Sequence, residues 1–131
     1  MKTILVVEDN PQVAKFYRLA LERAGGYRCL LVDSGDEIVA LARADEVDAI
    51  VLDISLANCT YQGRRMDGLE IARILKADAA TRHIPILLAT AHAMEGDRER
   101  FLAASGADGY IEKPIYDPQL LIQQIEQVLR R

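Results

Sequence analysis

The sequence predicts an α/β fold in which helices cover both faces of one parallel sheet. Two observations carry that expectation. Aliphatic runs recur as continuous stretches, not as alternating ones: Ile4 to Val7, Cys29 to Val32, Ala49 to Leu52 and Ile86 to Ala89, with a shorter Tyr110-Ile111. Strands written this way are expected to be buried on both sides, as in a parallel sheet. Segments of helical period separate them, and strand–helix repeated five times gives a doubly wound sheet with right-handed crossovers.

Each helix carries its own signals. Asn10-Pro11 supplies an N-cap and a proline at the first helical position. Val13, Phe16, Tyr17 and Ala20 then keep helical spacing, and Gly25-Gly26 falls where that helix should stop. Ser34 with Glu37 has capping-box spacing ahead of Ile38, Leu41 and Ala42, and Asp67 with Glu70 repeats the pattern after the third strand. Gly106 marks the end of the fourth helix. Asp117-Pro118 opens the last one, where Leu121, Ile122, Ile125, Val128 and Leu129 draw a broad apolar stripe. No repeat or linker interrupts the pattern, and 131 residues suit a single domain, residues 1–131, with one hydrophobic core.

Composition narrows the function. A net charge of −4, with basic residues clustered only as Arg64-Arg65 and Arg130-Arg131, argues against a nucleic-acid surface. The two cysteines, Cys29 and Cys59, lack metal-ligand spacing, and Cys29 lies in an apolar run where it should pack as a small hydrophobe. No signal peptide precedes the first strand and no apolar run approaches a membrane span, so a reducing cytoplasm is the expected location.

In an open parallel sheet, ligands bind beyond the carboxyl ends of the strands, where the strand order reverses. Just there the chain places Glu8-Asp9, Asp53, Thr90 and Lys113-Pro114. In the flavodoxin-like order 2-1-3-4-5, three carboxylates, a hydroxyl and an ammonium converge on one crevice. Carboxylates that close raise one another's pKa unless a cation sits among them. Oxygen ligands and a phosphate partner suit Mg²⁺, with Mn²⁺ as a substitute. A carboxylate is also a competent nucleophile toward a phosphoryl group.

The motifs VVEDN (6–10), VLDISL (51–56), MDGLE (66–70), LLATAHAM (87–94) and GYIEKPI (109–115) resemble those of response-regulator receiver domains. The likeness covers essentially the whole chain and extends to receivers of hybrid histidine kinases and single-domain cell-cycle regulators. It implies Asp53 as phosphoacceptor, Glu8 and Asp9 as the acidic pair serving Mg²⁺, and the Ser55 backbone carbonyl as a further metal ligand. It also implies Lys113 as the partner of the phosphoryl group, Thr90 and Tyr110 as the switch pair, and Ser55 and His92 as positions that tune hydrolysis. The peptide bond before Pro114 is often cis in this family.

The expected function is therefore that of a stand-alone response regulator in two-component phosphorelay signalling. Asp53 takes a phosphoryl group from a histidine kinase or histidine phosphotransfer protein. With the chain ending at Arg131, straight after the last helix, output is expected through a downstream protein target or by relay. No enzyme activity is expected beyond its own phosphorylation and dephosphorylation. Other readings are weaker. An FMN-binding electron carrier would need a hydroxyl- and glycine-rich loop where Glu8-Asp9-Asn10 stands. An aspartyl phosphatase would need a second Asp where Ser55 stands. A phosphorylation-independent pseudo-receiver scaffold would not need the intact acid, Thr90 and Lys113 set.

One segment departs from the family pattern. Receivers usually pass from the position of Leu56 to Met66-Asp67-Gly68 through a Pro-Gly-like pair, whereas here Ala57 to Arg65, ANCTYQGRR, intervenes. Two roles suit it: a contact for a partner or for the acyl phosphate, or a surface insertion tolerated at little entropic cost.

Overall fold

A computed structural model describes residues 1–91 and 94–130. In chain order the elements are β1 (Thr3–Val7), α1 (Pro11–Leu19), β2 (Arg28–Val32), α2 (Gly35–Arg43) and β3 (Ala49–Asp53). A hairpin of β4 (Thr60–Tyr61) and β5 (Arg64–Arg65) follows, then α3 (Gly68–Ala77), β6 (Ile86–Thr90), α4 (Asp97–Ser105), β7 (Gly109–Glu112) and α5 (Pro118–Leu129). The main sheet is parallel throughout, in the order β2-β1-β3-β6-β7. This is the expected flavodoxin-like order once the hairpin strands are set aside.

The two-residue period of a strand divides each aliphatic run between two cores. In β1, Ile4 and Val6 face the layer of α1 and α5, packing with Tyr17, Leu21, Leu121 and Ile125. Leu5 and Val7 face the other layer, with Ile38 of α2 and Ile71 and Leu75 of α3. Both layers are built from apolar side chains, which is why β1, β3 and β6 need no polar alternation. β2 differs from the expectation for it. Only Cys29 of its residues is buried, because the strand lies at the sheet edge and has a hydrogen-bonded neighbour on one side alone.

The helix starts follow their signals. Asn10 Oδ1 accepts from the Gln12 and Val13 N–H groups at 3.0 and 3.2 Å. Asp67 and Glu70 form the reciprocal capping box, and Asp117 accepts from Gln119 N–H at 2.9 Å. Two features lay outside the sequence reading. The first helix does not simply stop but widens into a π-helical turn over Ala20–Ala24, where Gly25 N–H reaches back to Ala20 O at 3.1 Å. The 57–65 connection is also no open loop. Gln62 and Gly63, with φ of 52° and 79°, make the tight turn of a two-residue hairpin, for which glycine is the natural second residue.

That hairpin is fastened to the body. Gln62 N–H donates to Asp36 Oδ1 at 3.1 Å, Met66 N–H to Cys59 O at 2.9 Å, and the Cys59 side chain is buried in the core beside α2 and α3. Tyr61 packs over Gly35, the first residue of α2, where a Cβ would come within 2.6 Å of the Thr60 carbonyl oxygen.

Candidate acidic phosphoacceptor site

The site lies where β1, β3, β6 and β7 release the chain at their carboxyl ends. Glu8 and Asp9 follow β1, Asp53 is the last residue of β3, Thr90 the last of β6, and Lys113 follows β7. Strand register draws them together: Asp53 pairs with Ala89 and Thr90 with Glu112, and Lys113 N–H donates to Thr90 O at 2.7 Å. The Lys113–Pro114 peptide is cis.

One oxygen from each of Glu8, Asp9 and Asp53 lies within 4.8 Å of the others. Asp53 is only 4% exposed, so its carboxylate has lost most of its water. Burial pushes its pKa above the ordinary 3.8 and the Glu8 charge adds to the rise, while Lys113 and backbone hydrogen bonding from Ser55 oppose it. Lys113 does not share itself evenly. Its Nζ donates to Glu8 Oε1 at 2.7 Å and stands farther, at 3.2 Å, from Asp53 Oδ1. Burial works against the Lys113 ammonium, but the Glu8 hydrogen bond and the Asp53 and Glu8 charges leave its pKa raised.

Asp53 Oδ1 is therefore a buried anionic oxygen with no hydrogen-bond donor among the described residues. Such an oxygen needs a cation or an electrophile. The donor set fits a hard divalent ion: carboxylate oxygens and no nitrogen or sulfur.

The surrounding chain holds these groups in place. Asn10 N–H donates to Glu8 Oε2 at 3.2 Å, so the residue that caps α1 also steadies the acid before it. Ala57 N–H donates to Asp9 Oδ2 at 2.7 Å, which ties the start of the inserted segment to the acid pair. At Gly68 a Cβ would collide with the Asp53 carbonyl oxygen, so α3 can begin only where a glycine lets it press on the backbone of Asp53. Sequence reasoning missed these backbone donors. Their signal is a loop N–H, which every residue but proline possesses.

The remaining expected positions are placed as follows. Thr90 is buried, and Ser55 is exposed at the crevice rim. Tyr110 is 7% exposed and turned inward beside Phe101, with ring centroids 6.3 Å apart. Among the described residues its hydroxyl has no hydrogen-bond partner. His92 lies outside the described residues.

A family model described as the response regulator receiver domain matches residues 4–126. The chain belongs to that family. It is 39% identical over 120 residues to the polar-differentiation response regulator DivK of Brucella ovis, covering 92% of this chain and 90% of the relative. Among solved structures, it is similar to the receiver domain of sensor histidine kinase PA1611 from Pseudomonas aeruginosa PAO1. The two share 32% identity with a TM-score of 0.81, over 99% of this chain and 98% of that one. That structure carries a magnesium ion coordinated in its active-site cleft. The receiver domain of a signal transduction histidine kinase from Syntrophus aciditrophicus is 31% identical, with a TM-score of 0.80 over 99% and 91% of the two chains. The chain is thus a receiver domain of two-component signalling, similar to a polar-differentiation response regulator, with an acidic cluster that could hold a metal ion. Among the described residues no helix is long and apolar enough to cross a membrane.

Proposed function

We propose that the chain accepts a phosphoryl group on Asp53 from a phosphohistidine of a histidine kinase or phosphotransfer protein. The observation that carries this reading is Asp53 Oδ1: buried, anionic, without a hydrogen-bond donor among the described residues, and 3.2 Å from the Lys113 ammonium. In the transfer, an Asp53 carboxylate oxygen forms a bond to phosphorus as the phosphorus–nitrogen bond of the donor breaks. The imidazole leaves with its electron pair and takes up a proton. Glu8, Asp9, Asp53 and the Ser55 backbone carbonyl would hold Mg²⁺. A bound Mg²⁺ would offset the repulsion between these carboxylates and the incoming phosphoryl oxygens.

The protein's own part is placement. β3 holds the nucleophile on a rigid element, which fixes its direction better than a loop would. Lys113 turns from Glu8 to the phosphoryl oxygens, and the Thr90 hydroxyl takes another of them. Movement of Thr90 changes the packing around the inward Tyr110 ring, and the changed face beside α4 and α5 is read by a downstream protein. Ser55 and His92 tune the rate at which water removes the phosphoryl group, as the family resemblance implies. The chain acts on its own phosphoryl group and turns over no external substrate.

The test is intact mass after incubation with Mg²⁺ and phosphoramidate, beside the Asp53→Asn variant. One added phosphoryl group, dependent on the metal and lost in the variant, is the expected result. No added mass, together with no binding of beryllofluoride, would sink the reading and leave a phosphorylation-independent scaffold.

A further inference from the structure

Ala57, the first residue of the inserted segment, is exposed, yet its N–H group is committed. It donates to Asp9 Oδ2 at 2.7 Å, between residues 48 positions apart in the chain. A hydrogen bond onto an ionised carboxylate is stronger than one between neutral groups. The segment is anchored on both sides of this donor: Leu56 before it is 8% exposed and Cys59 after it 1%. Farther on, Met66 N–H closes on Cys59 O, Gln62 N–H on Asp36 Oδ1, and Tyr61 packs over Gly35. The hairpin is thus held from α2 and the core, outside the acid cluster, and its first residue reaches into that cluster.

The bond joins the two stretches of chain that supply the site. Glu8 and Asp9 follow β1, whereas Asp53 and Ser55 lie at the end of β3 and in the loop after it. Oxygens of Glu8, Asp9 and Asp53 stand within 4.8 Å of one another. A carboxylate offers about four acceptor positions, so one N–H leaves Asp9 able to face a cation as well. Ligating carboxylates are commonly oriented by such outer hydrogen bonds. A two-residue Pro-Gly link would carry neither the Cys59 anchor nor, at its proline, an N–H to give.

We propose that the inserted hairpin is a positioning element of the metal site, its Ala57 N–H holding the Asp9 carboxylate and thereby raising the affinity for a divalent cation. The inference rests on the metal-site reading given above. Without that donor the Asp9 side chain is free to rotate, and a cation must order it on binding. The coupling is reciprocal: whatever the docked hairpin adds to metal binding, the metal adds to hairpin docking.

Replacing the Leu56–Ala57 amide by an ester, through semisynthesis of the full chain, removes the N–H and keeps every side chain. A second variant replaces residues 57–65 with Pro-Gly and removes donor and hairpin together. Calorimetric titration with Mg²⁺ should give each a dissociation constant about ten-fold above wild type, the low end for losing a contact that orients a metal ligand. Hydrogen exchange supplies a readout that a purely structural hairpin would not move. In the wild type, saturating Mg²⁺ should slow exchange of the Gln62 and Met66 amides by up to about ten-fold, and in the ester that slowing should vanish. Equal Mg²⁺ affinity in the wild type and the ester would overturn the proposal, as would Mg²⁺-dependent protection that persists in the ester. If the ester does not fold, equal affinity in the wild type and the Pro-Gly variant overturns it alone. A wild type that binds no Mg²⁺ overturns the metal-site reading and the proposal with it, an outcome distinct from normal wild-type binding with an indifferent ester.

Discussion

Asp53 is held in the resting protein at a cost to the fold, and Asp53→Asn should release it. The carboxylate is 4% exposed and one of its oxygens lacks a hydrogen-bond donor among the described residues. Such a group costs about 1–3 kcal/mol, and each unit of raised pKa corresponds to about 1.4 kcal/mol. Removing the charge also removes the 3.2 Å contact with Lys113, but Lys113 keeps its shorter bond to Glu8 at 2.7 Å. Burial and the Glu8 charge outweigh the lysine in setting the Asp53 pKa, so the balance favours the neutral side chain. A net gain of about 1–2 kcal/mol follows, or roughly 4–7 °C in melting temperature for a chain of this size.

The pH dependence has a definite sign. The folded pKa of Asp53 is raised above 3.8, so the folded protein binds this proton more readily than the unfolded chain. The penalty is complete above the folded pKa, is relieved as pH falls through it, and is absent below 3.8. The advantage of Asp53→Asn is therefore full at neutral pH and shrinks on acidification. Thermal melts by circular dichroism, in chelator and over a pH series, measure both statements. A variant that melts at or below wild type at neutral pH without divalent ions would refute the reasoning, as would an advantage that grows as pH falls.

Other consequences are simpler to state. Gly68→Ala drives a methyl group into the Asp53 carbonyl oxygen and should destabilise by about 1–3 kcal/mol in urea unfolding, while also slowing phosphorylation of Asp53. Lys113→Met leaves the buried Glu8 carboxylate without its ammonium and should cost about 3 kcal/mol at neutral pH, by the same measurement. Gly63→Val places a β-branched residue at a φ of 79° and should cost about 1–2 kcal/mol in urea unfolding. Cys59 is buried and its thiol is pushed up by that burial, so Ellman's reagent should reach it only on unfolding. Rapid modification of the native protein would show that the hairpin opens.

The sheet was legible because its grammar is strong: continuous aliphatic runs for β1, β3 and β6, and caps at Asn10, Asp67 and Asp117 that all make their expected bonds. The polar residues of the site were legible for a topological reason, since a known strand order determines which strand ends meet. What escaped is what depends on three-dimensional neighbours. The exposure of β2 follows from its place at the edge, which a run such as CLLV does not announce. The hairpin at 57–65 has Gln62-Gly63 in place of a stronger turn pair, and its attachment to Asp36 and Asp9 uses backbone N–H groups. The closer approach of Lys113 to Glu8, at 2.7 Å, than to Asp53, at 3.2 Å, is likewise a matter of tenths of an ångström. Tyr17 read simply as one apolar position in a helical stripe. Its buried hydroxyl has no hydrogen-bond partner among the described residues.

Asp53, and no other carboxylate of the cluster, is expected to receive the phosphoryl group. Borohydride cleaves an acyl phosphate reductively and turns an aspartyl phosphate into homoserine, so peptide mass mapping after treatment with Mg²⁺, phosphoramidate and borohydride locates the modified position directly. The account predicts homoserine at position 53 alone. Homoserine at position 9 instead, or in none of the peptides of a protein that has gained the phosphoryl mass, would contradict it.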